Sequence, residues 1–247
     1  MDQWLEGEVV EKRHWCDKLY SLRVAADVDP FTAGQFTRLA LEVDGERIAR
    51  PYSFVNTPGD QLLEIHFNEV QDGPLSPRLA SLEPGDRVWV SAQAKGLFTL
   101  DQIPDAQQLW MIASGTALGV YLSILRTEAA WSRFETLVLV HNVRWQGHLC
   151  YAEEIKQIKT RYAERFRYLP ILSQETVPGM LQGRVLGALQ EGRLEAQAGL
   201  TLSPEHSHVM LCGNMGMIRE VSQALEERGM RKHRRQEPGH YSTEKYH

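Results

Sequence analysis

Apolar and polar positions alternate with a period of two over roughly the first 100 residues, the spacing expected of half-buried strands. Strand-type runs fall at 8–10, 21–25, 35–43, 47–55, 62–70 and 86–92. Turn formers separate them at Asp44-Gly45, Pro58-Gly59, Asp72-Gly73-Pro74 and Pro84-Gly85-Asp86. This spacing predicts an antiparallel barrel or sandwich, interrupted by one short helix at 76–82. After Pro104 the pattern changes. Apolar runs without alternation, 109–113, 137–140, 166–172 and 208–211, take turns with helical periodicity at 118–128, 151–165, 185–191 and 214–228. Strand–helix alternation of this kind predicts a parallel, doubly wound sheet. The fold class is therefore β followed by α/β, with a boundary near residue 101.

Length and charge narrow the function. The chain has 247 residues, 43% of them hydrophobic, and a net charge of -5, so global charge makes no case for nucleic-acid binding. No apolar run approaches the roughly 20 residues needed to span a bilayer. Met1-Asp2-Gln3-Trp4 carries neither the basic nor the apolar part of a secretory signal. Cys16, Cys150 and Cys212 are three widely spaced cysteines, which argues against a disulfide framework and against a cysteine-ligated iron–sulfur cluster. A reducing cytoplasm is the expected location.

Several strand ends carry candidate chemistry. Arg50-Pro51-Tyr52-Ser53 closes the run that follows the Asp44-Gly45 turn. Alternate side chains share a face in an extended segment, so Arg50 and Tyr52 point one way and Pro51 and Ser53 the other. Proline removes a ladder donor and marks an edge or bulge that a ligand can approach. The cation suits a pyrophosphate, the phenol a ring face and the hydroxyl a ring heteroatom. An ordinary strand end is the competing interpretation. Asp72-Gly73-Pro74-Leu75-Ser76-Pro77-Arg78 opens the short helix, with Ser76 as N-cap and Pro77 at the first helical position. Such a start offers N–H groups to a phosphate, or simply caps a surface helix.

In Ala113-Ser114-Gly115-Thr116-Ala117-Leu118-Gly119, Gly115 lets the chain turn close to a ligand, and Gly119 permits close packing or close ligand approach. This is a dinucleotide-type turn without the full Gly-x-Gly-x-x-Gly pattern. Cys212-Gly213 follows another strand, at the crevice where parallel sheets bind ligands; a small buried hydrophobe is the alternative. Nothing in the sequence lowers the Cys212 pKa, so it is not assigned as a nucleophile. Arg144 and Arg184 follow further strands and suit a 2′-phosphate, or are solvated charges. Arg231-Lys232-His233-Arg234-Arg235 is a basic run that steers an acidic partner or is a solvated helix exit.

In this order and on this layout, these motifs resemble the ferredoxin/flavodoxin–NADP reductase family, in particular its bacterial type, over essentially the whole chain. Arg50-Pro51-Tyr52-Ser53, Gly73-Pro74-Leu75-Ser76, Gly115-Thr116, Cys212-Gly213 and the terminal aromatic segment carry the resemblance. It implies an antiparallel FAD-binding β-barrel over 1–100. It also implies a parallel-sheet NADP-binding domain over 101–247 that ends in a flavin-covering tail. FAD is then the cofactor and NADPH the co-substrate, with hydride transfer to flavin N5. Ferredoxin or flavodoxin is the one-electron partner, and the protein is a cytoplasmic monomer with no nucleic-acid or membrane partner.

The resemblance also assigns residues. Arg50, with Pro51 beside it, contacts the pyrophosphate of FAD. Tyr52 covers one flavin face, and Ser53 hydrogen-bonds near N5. Ile65, His66 and Phe67 flank the ring through their backbone, while Gly73, Leu75 and Ser76 cradle the pyrophosphate. Tyr246 covers the second flavin face, and Thr116 and His247 belong to the cofactor set. Gly115, Thr116, Cys212 and Gly213 lie on the nicotinamide side. Arg144, Ser173, Gln174 and Arg184 surround the 2′-phosphoadenosine. Ser53, Tyr52, Cys212 and Glu244 form the catalytic set. Two departures stand out: Gln174 replaces an arginine found in similar proteins, and the chain ends in Tyr246-His247 rather than Tyr-Trp. A flavin or quinone reductase on the same modules, and a non-catalytic nucleotide sensor, are the alternatives.

Overall fold

The computed structural model describes residues 3–246; His247 lies outside the described residues. The chain divides into two compact units. One runs to Thr99 and takes in Gly119–Thr127; the other comprises Leu100–Leu118 and the chain from Glu128 onward.

In the first unit, β1 (Trp4–Cys16), β2 (Leu19–Ala25), β3 (Phe36–Val43), β4 (Glu46–Ser53), β5 (Leu63–Asn68) and β6 (Arg87–Ser91) form one antiparallel sheet. The order is β4-β3-β6-β1-β2-β5. Its end strands rejoin through a bridge between Phe54 and Ile65, with the Val55 N–H donating to the Glu64 carbonyl at 2.8 Å, so the sheet closes into a barrel. Val9, Leu22, Leu39, Ile65, Phe67 and Val90 fill its interior. Asp44 and Gly45 both take left-handed φ values, 52° and 82°. That conformation makes a two-residue hairpin turn whose twist matches the flanking strands. It sets a continuous register from Val43 opposite Glu46 to Phe36 opposite Ser53.

Helix α1 (Ser76–Ser81) departs from its expected start. Leu75 is the N-cap, and Ser76 is the first helical residue. The Ser76 hydroxyl accepts the Val70 N–H at 3.0 Å, so it ties down the preceding loop instead of capping the helix.

In the second unit, six parallel strands take the order β10-β9-β8-β7-β11-β12. They are β7 (Gln108–Ser114), β8 (Thr136–Val143), β9 (Phe166–Leu172), β10 (Leu181–Gln182), β11 (Ser207–Gly213) and β12 (Tyr241–Lys245). The single helix predicted at 118–128 is two, α2 (Leu118–Leu125) and α3 (Glu128–Arg133). The Ile124 carbonyl receives both the N–H and the hydroxyl of Thr127, at 3.0 and 2.7 Å, a tight turn that ends α2. Further helices are α4 (Ala152–Arg161), α5 (Val185–Gln190), α6 (Arg193–Ala198) and α7 (Met215–Glu227). Central strands β7, β8 and β11 are apolar throughout their middles because both faces are covered.

From Gly119 onward α2 belongs to the barrel unit. A Cβ on Gly119 would stand 2.9 Å from Val55 Cγ2, so this glycine serves tight packing. Arg126 then donates to the Val55 carbonyl at 2.7 Å and pairs with Glu64 at 3.0 Å.

Candidate functional site

In the first unit the candidates gather where the sheet closes. Strands β4 and β5 are the end strands and meet through the bridge at Phe54 and Ile65. Arg50, Tyr52 and Ser53 lie on β4, and Ile65, His66 and Phe67 on β5. Arg50 is exposed and donates to the Ala49 carbonyl at 2.8 Å; among the described residues it has no carboxylate partner. Pro51 is exposed beside it. The Tyr52 ring meets Phe67 edge-on, centroids 6.0 Å apart, and burial pushes its phenol pKa upward against the lowering effect of Arg50. Ser53 is 7% exposed, yet its hydroxyl has no protein partner among the described residues. On β5, the residues Ile65, His66 and Phe67 are buried and pair with Leu22, Ser21 and Tyr20 on one side. His66 Nδ1 lies 2.9 Å from the Tyr20 carbonyl.

Gly73, Leu75 and Ser76 form a tight loop. A Cβ on Gly73 would meet the Val70 carbonyl at 3.0 Å and the Ser76 hydroxyl at 3.1 Å. That hydroxyl accepts the Val70 N–H and keeps its own O–H to donate, so the loop can offer an anion the Ser76 hydroxyl together with backbone N–H groups. A guanidinium without a carboxylate partner, a half-buried ring and a sheltered hydroxyl match a phosphate-bearing aromatic ligand.

In the second unit, the turns after β7 and β11 abut. Gly213 has φ +144°, and the Ser114 hydroxyl occupies the space a Cβ would need, 2.0 Å away. That hydroxyl accepts the Asn214 N–H at 3.0 Å, while Asn214 Oδ1 caps α7 through the Met217 N–H at 2.9 Å. Gly115, at φ +57°, has open space where its Cβ would stand. Thr116 follows it in a single 3-10 turn.

Cys212 is fully buried, and burial together with the Glu244 carboxylate raises its pKa, so the thiol stays neutral. Glu244 faces it in register from β12. One Glu244 carboxyl oxygen is sealed without a hydrogen-bond partner among the described residues, and burial raises its pKa to about 7. The terminal segment is largely a strand rather than a tail. Beyond β12, the Tyr246 N–H donates to the Gly213 carbonyl at 2.9 Å.

The ends of β8, β9 and β10 gather the remaining candidates. The Ser173 N–H donates to the Val143 carbonyl at 2.9 Å and the Gln174 N–H to the Arg144 carbonyl at 3.0 Å. Arg184 is the N-cap of α5, just beyond β10. Arg144 and Arg184 are exposed and have no ion pair among the described residues. Asn142, which sequence reasoning missed, binds these ends together: its Nδ2 donates to the Ile171 carbonyl at 3.1 Å and the Gly183 carbonyl at 3.3 Å. His141 was missed as well. Their signal was a polar pair closing an otherwise apolar run.

Arg50 to Ser76 thus belong to the first unit, and Thr116, Cys212, Glu244 and Tyr246 to the second. The basic run follows the C-terminal end of α7 and is largely exposed. It lies in a loop held against β12 by a bridge between Lys232 and Tyr241 and by the His240 N–H to the Arg231 carbonyl at 2.7 Å.

The family described as oxidoreductase NAD-binding domain matches residues 111–223. The flavodoxin/ferredoxin–NADP reductase of Escherichia coli K12 is 48% identical over 221 residues, covering 90% of this chain and 89% of the relative. That of Buchnera aphidicola subsp. Schizaphis graminum is 38% identical over 256 residues, covering 100% of each. A ferredoxin NADP+ reductase from Neisseria gonorrhoeae, solved with bound FAD and NADP, superposes with a TM-score of 0.91 at 28% identity over 98% of both chains. With identity of this order spanning both units and the same two-sheet architecture, the chain belongs to the flavodoxin/ferredoxin–NADP reductase family.

Proposed function

We propose that this chain is an FAD-dependent oxidoreductase that moves electrons between NADPH and ferredoxin or flavodoxin. The domain over 1–100 holds FAD and that over 101–247 takes NADPH. The observation that carries this is the Arg50 guanidinium, exposed and without a carboxylate partner among the described residues, on the same strand as the sheltered Ser53 hydroxyl. When bound, FAD supplies the exchange between a hydride and single electrons.

The chain's own residues bind, orient and hold protons. Arg50 pairs with the pyrophosphate, helped by backbone N–H groups of the loop carrying Gly73, Leu75 and Ser76. Tyr52 covers one face of the isoalloxazine, and Ser53 directs its hydroxyl to the N5 edge. The backbone of Ile65, His66 and Phe67 flanks the ring. Tyr246 is assigned the second ring face. Gly115 leaves room for the nucleotide, Thr116 lies beside the nicotinamide, and Gly213 keeps the neighbouring turn compact. Neutral Cys212 excludes water there, and Glu244, with a pKa near 7, holds a proton available at working pH. Arg144 and Arg184 supply charge-assisted bonds to the 2′-phosphate, flanked by Ser173 and Gln174.

The protein acts as a cytoplasmic monomer without nucleic-acid or membrane partners. Cys16, Cys150 and Cys212 form no disulfide with one another, which suits a reducing compartment; among the described residues no helix is long and apolar enough to cross a membrane. Cofactor released from the purified yellow protein is expected to run as FAD on chromatography. FMN in its place, or a colourless chain that FAD does not reconstitute, refutes the assignment.

A further inference from the structure

His141 sits in β8 directly after Leu137, Val138, Leu139 and Val140, all fully buried. Its own ring is 1% exposed. Nε2 lies 3.0 Å from the Gly115 carbonyl and Nδ1 3.4 Å from the Tyr168 hydroxyl. A carbonyl can only accept, so Nε2 carries the proton and Nδ1 is left to accept from Tyr168. Burial holds the ring neutral, its pKa lowered to about 4, which keeps this tautomer in place at neutral pH.

The Gly115 carbonyl already receives the Leu118 N–H. A histidine is therefore not required to satisfy it; what the imidazole adds is direction. In a planar trans peptide the C=O and N–H groups point opposite ways. Fastening the Gly115 carbonyl to His141 turns the Thr116 N–H away from β8. On the side where a Cβ would stand, Gly115 has nothing within 4 Å. A leucine in place of His141 would preserve the apolar strand and lose this orientation.

We infer that His141 is a positioning residue for the nucleotide: it fixes the Gly115–Thr116 peptide so that its N–H meets the nicotinamide half of NADPH. This rests on the placement of the nicotinamide beside Thr116 proposed above. The 2′-phosphoadenosine half, assigned to Arg144 and Arg184, is independent of His141.

Two amide variants separate the interaction from the bulk of the ring. In His141→Gln the amide nitrogen reaches the position of Nε2. In His141→Asn it ends near Nδ1 and falls short of Gly115. Binding of NADP+ and of 2′,5′-ADP to each holoenzyme is measured by titration calorimetry. His141→Asn is expected to bind NADP+ about tenfold more weakly, the scale of one lost hydrogen bond, with 2′,5′-ADP unchanged within about twofold. His141→Gln is expected to keep NADP+ affinity within about threefold of the native chain. Equal weakening of both ligands in His141→Asn would mark a purely structural role and overturn the inference, as would indistinguishable Asn and Gln variants. If His141→Asn does not fold, His141→Gln decides alone: a tenfold loss of NADP+ affinity there overturns it. A native chain that binds neither ligand refutes the NADPH assignment itself, and this inference with it.

Discussion

Replacing Glu244 with Gln removes a titrating carboxyl while keeping its shape. Glu244 faces Cys212 across the β11–β12 pair, with one oxygen sealed from solvent and unpartnered among the described residues. Burial raises its pKa from 4.5 to about 7. The folded chain then keeps a proton that the unfolded chain has released, so stability falls as pH rises. The contribution is fully present below pH 4.5 and is lost as pH passes through about 7. The span of about 2.5 pH units sets a ceiling near 3.4 kcal/mol at 1.36 kcal/mol per unit. Integrated between about pH 5.5 and 7.5 it comes to roughly 2 kcal/mol, and partial exposure of the residue lowers that to roughly 1–2 kcal/mol. Urea unfolding of native protein and Glu244→Gln, both saturated with FAD, gives a difference at each pH that cancels most other titrations. The native chain should lose about 1–2 kcal/mol relative to the variant across this window. A difference that stays flat would show that Glu244 titrates near its ordinary value and does not hold a proton at neutral pH. In turnover, the limb of the NADPH pH profile near 7 should disappear in the variant.

Arg50→Gln should weaken FAD binding by roughly 1.5–3 kcal/mol, the scale of a charge-assisted bond; unchanged affinity in apoprotein titrations places the pyrophosphate elsewhere. Gln174→Arg adds a cation beside Arg144, so NADPH should tighten about tenfold with NADH nearly unchanged. Equal tightening of both nucleotides would mean the position does not sense the 2′-phosphate. Changing Lys232, Arg234 and Arg235 to Gln removes exposed charge from the loop beside β12. Reduction of ferredoxin or flavodoxin should slow at low salt and converge with the native rate as salt screens fields beyond about 10 Å, while NADPH-to-dye turnover persists. Normal carrier reduction at low salt would rule this loop out as the docking surface.

Local chemistry was the part of the fold most legible in the sequence. Asp44-Gly45 requires two left-handed residues, and only a hairpin turn uses them this way. The run Leu137 to Val140 has no polar face, so it had to be a strand covered on both sides. Elements without such a signature were hidden. Strand β1 runs 13 residues but buries only Gly7 and Val9, so its charged outer positions masked all but a short piece. Strand β12 is short, polar and at the sheet edge, and it is placed by partners distant in sequence, including His208 Nε2 to the Ser242 hydroxyl at 3.1 Å. Helix α6 lies between Gly192 and Gly199, both at left-handed φ, with only Leu194 and Ala198 buried, too little to register as a periodic face.

The candidate site divides the same way. Residues at strand ends, such as Arg50, Gly115 and Cys212, announce themselves by position. The Ser114–Asn214 contact joins residues 100 apart, and the His141–Gly115 contact depends on strand pairing, so no local pattern contains either. Ser76 shows the limit from the other side, since its cap signature was correct as local chemistry and was overridden by the Val70 N–H.

Anaerobic stopped-flow mixing of the purified protein with NADPH, followed by a second mix with oxidised ferredoxin or flavodoxin, shows whether electrons pass from NADPH through the bound flavin to a carrier. The yellow absorption should bleach with NADPH faster than with NADH and return on the second mix, as the carrier takes up one electron per molecule. A chain that binds NADPH without bleaching, or that bleaches and reoxidises only with free flavins or quinones, is not a ferredoxin or flavodoxin reductase.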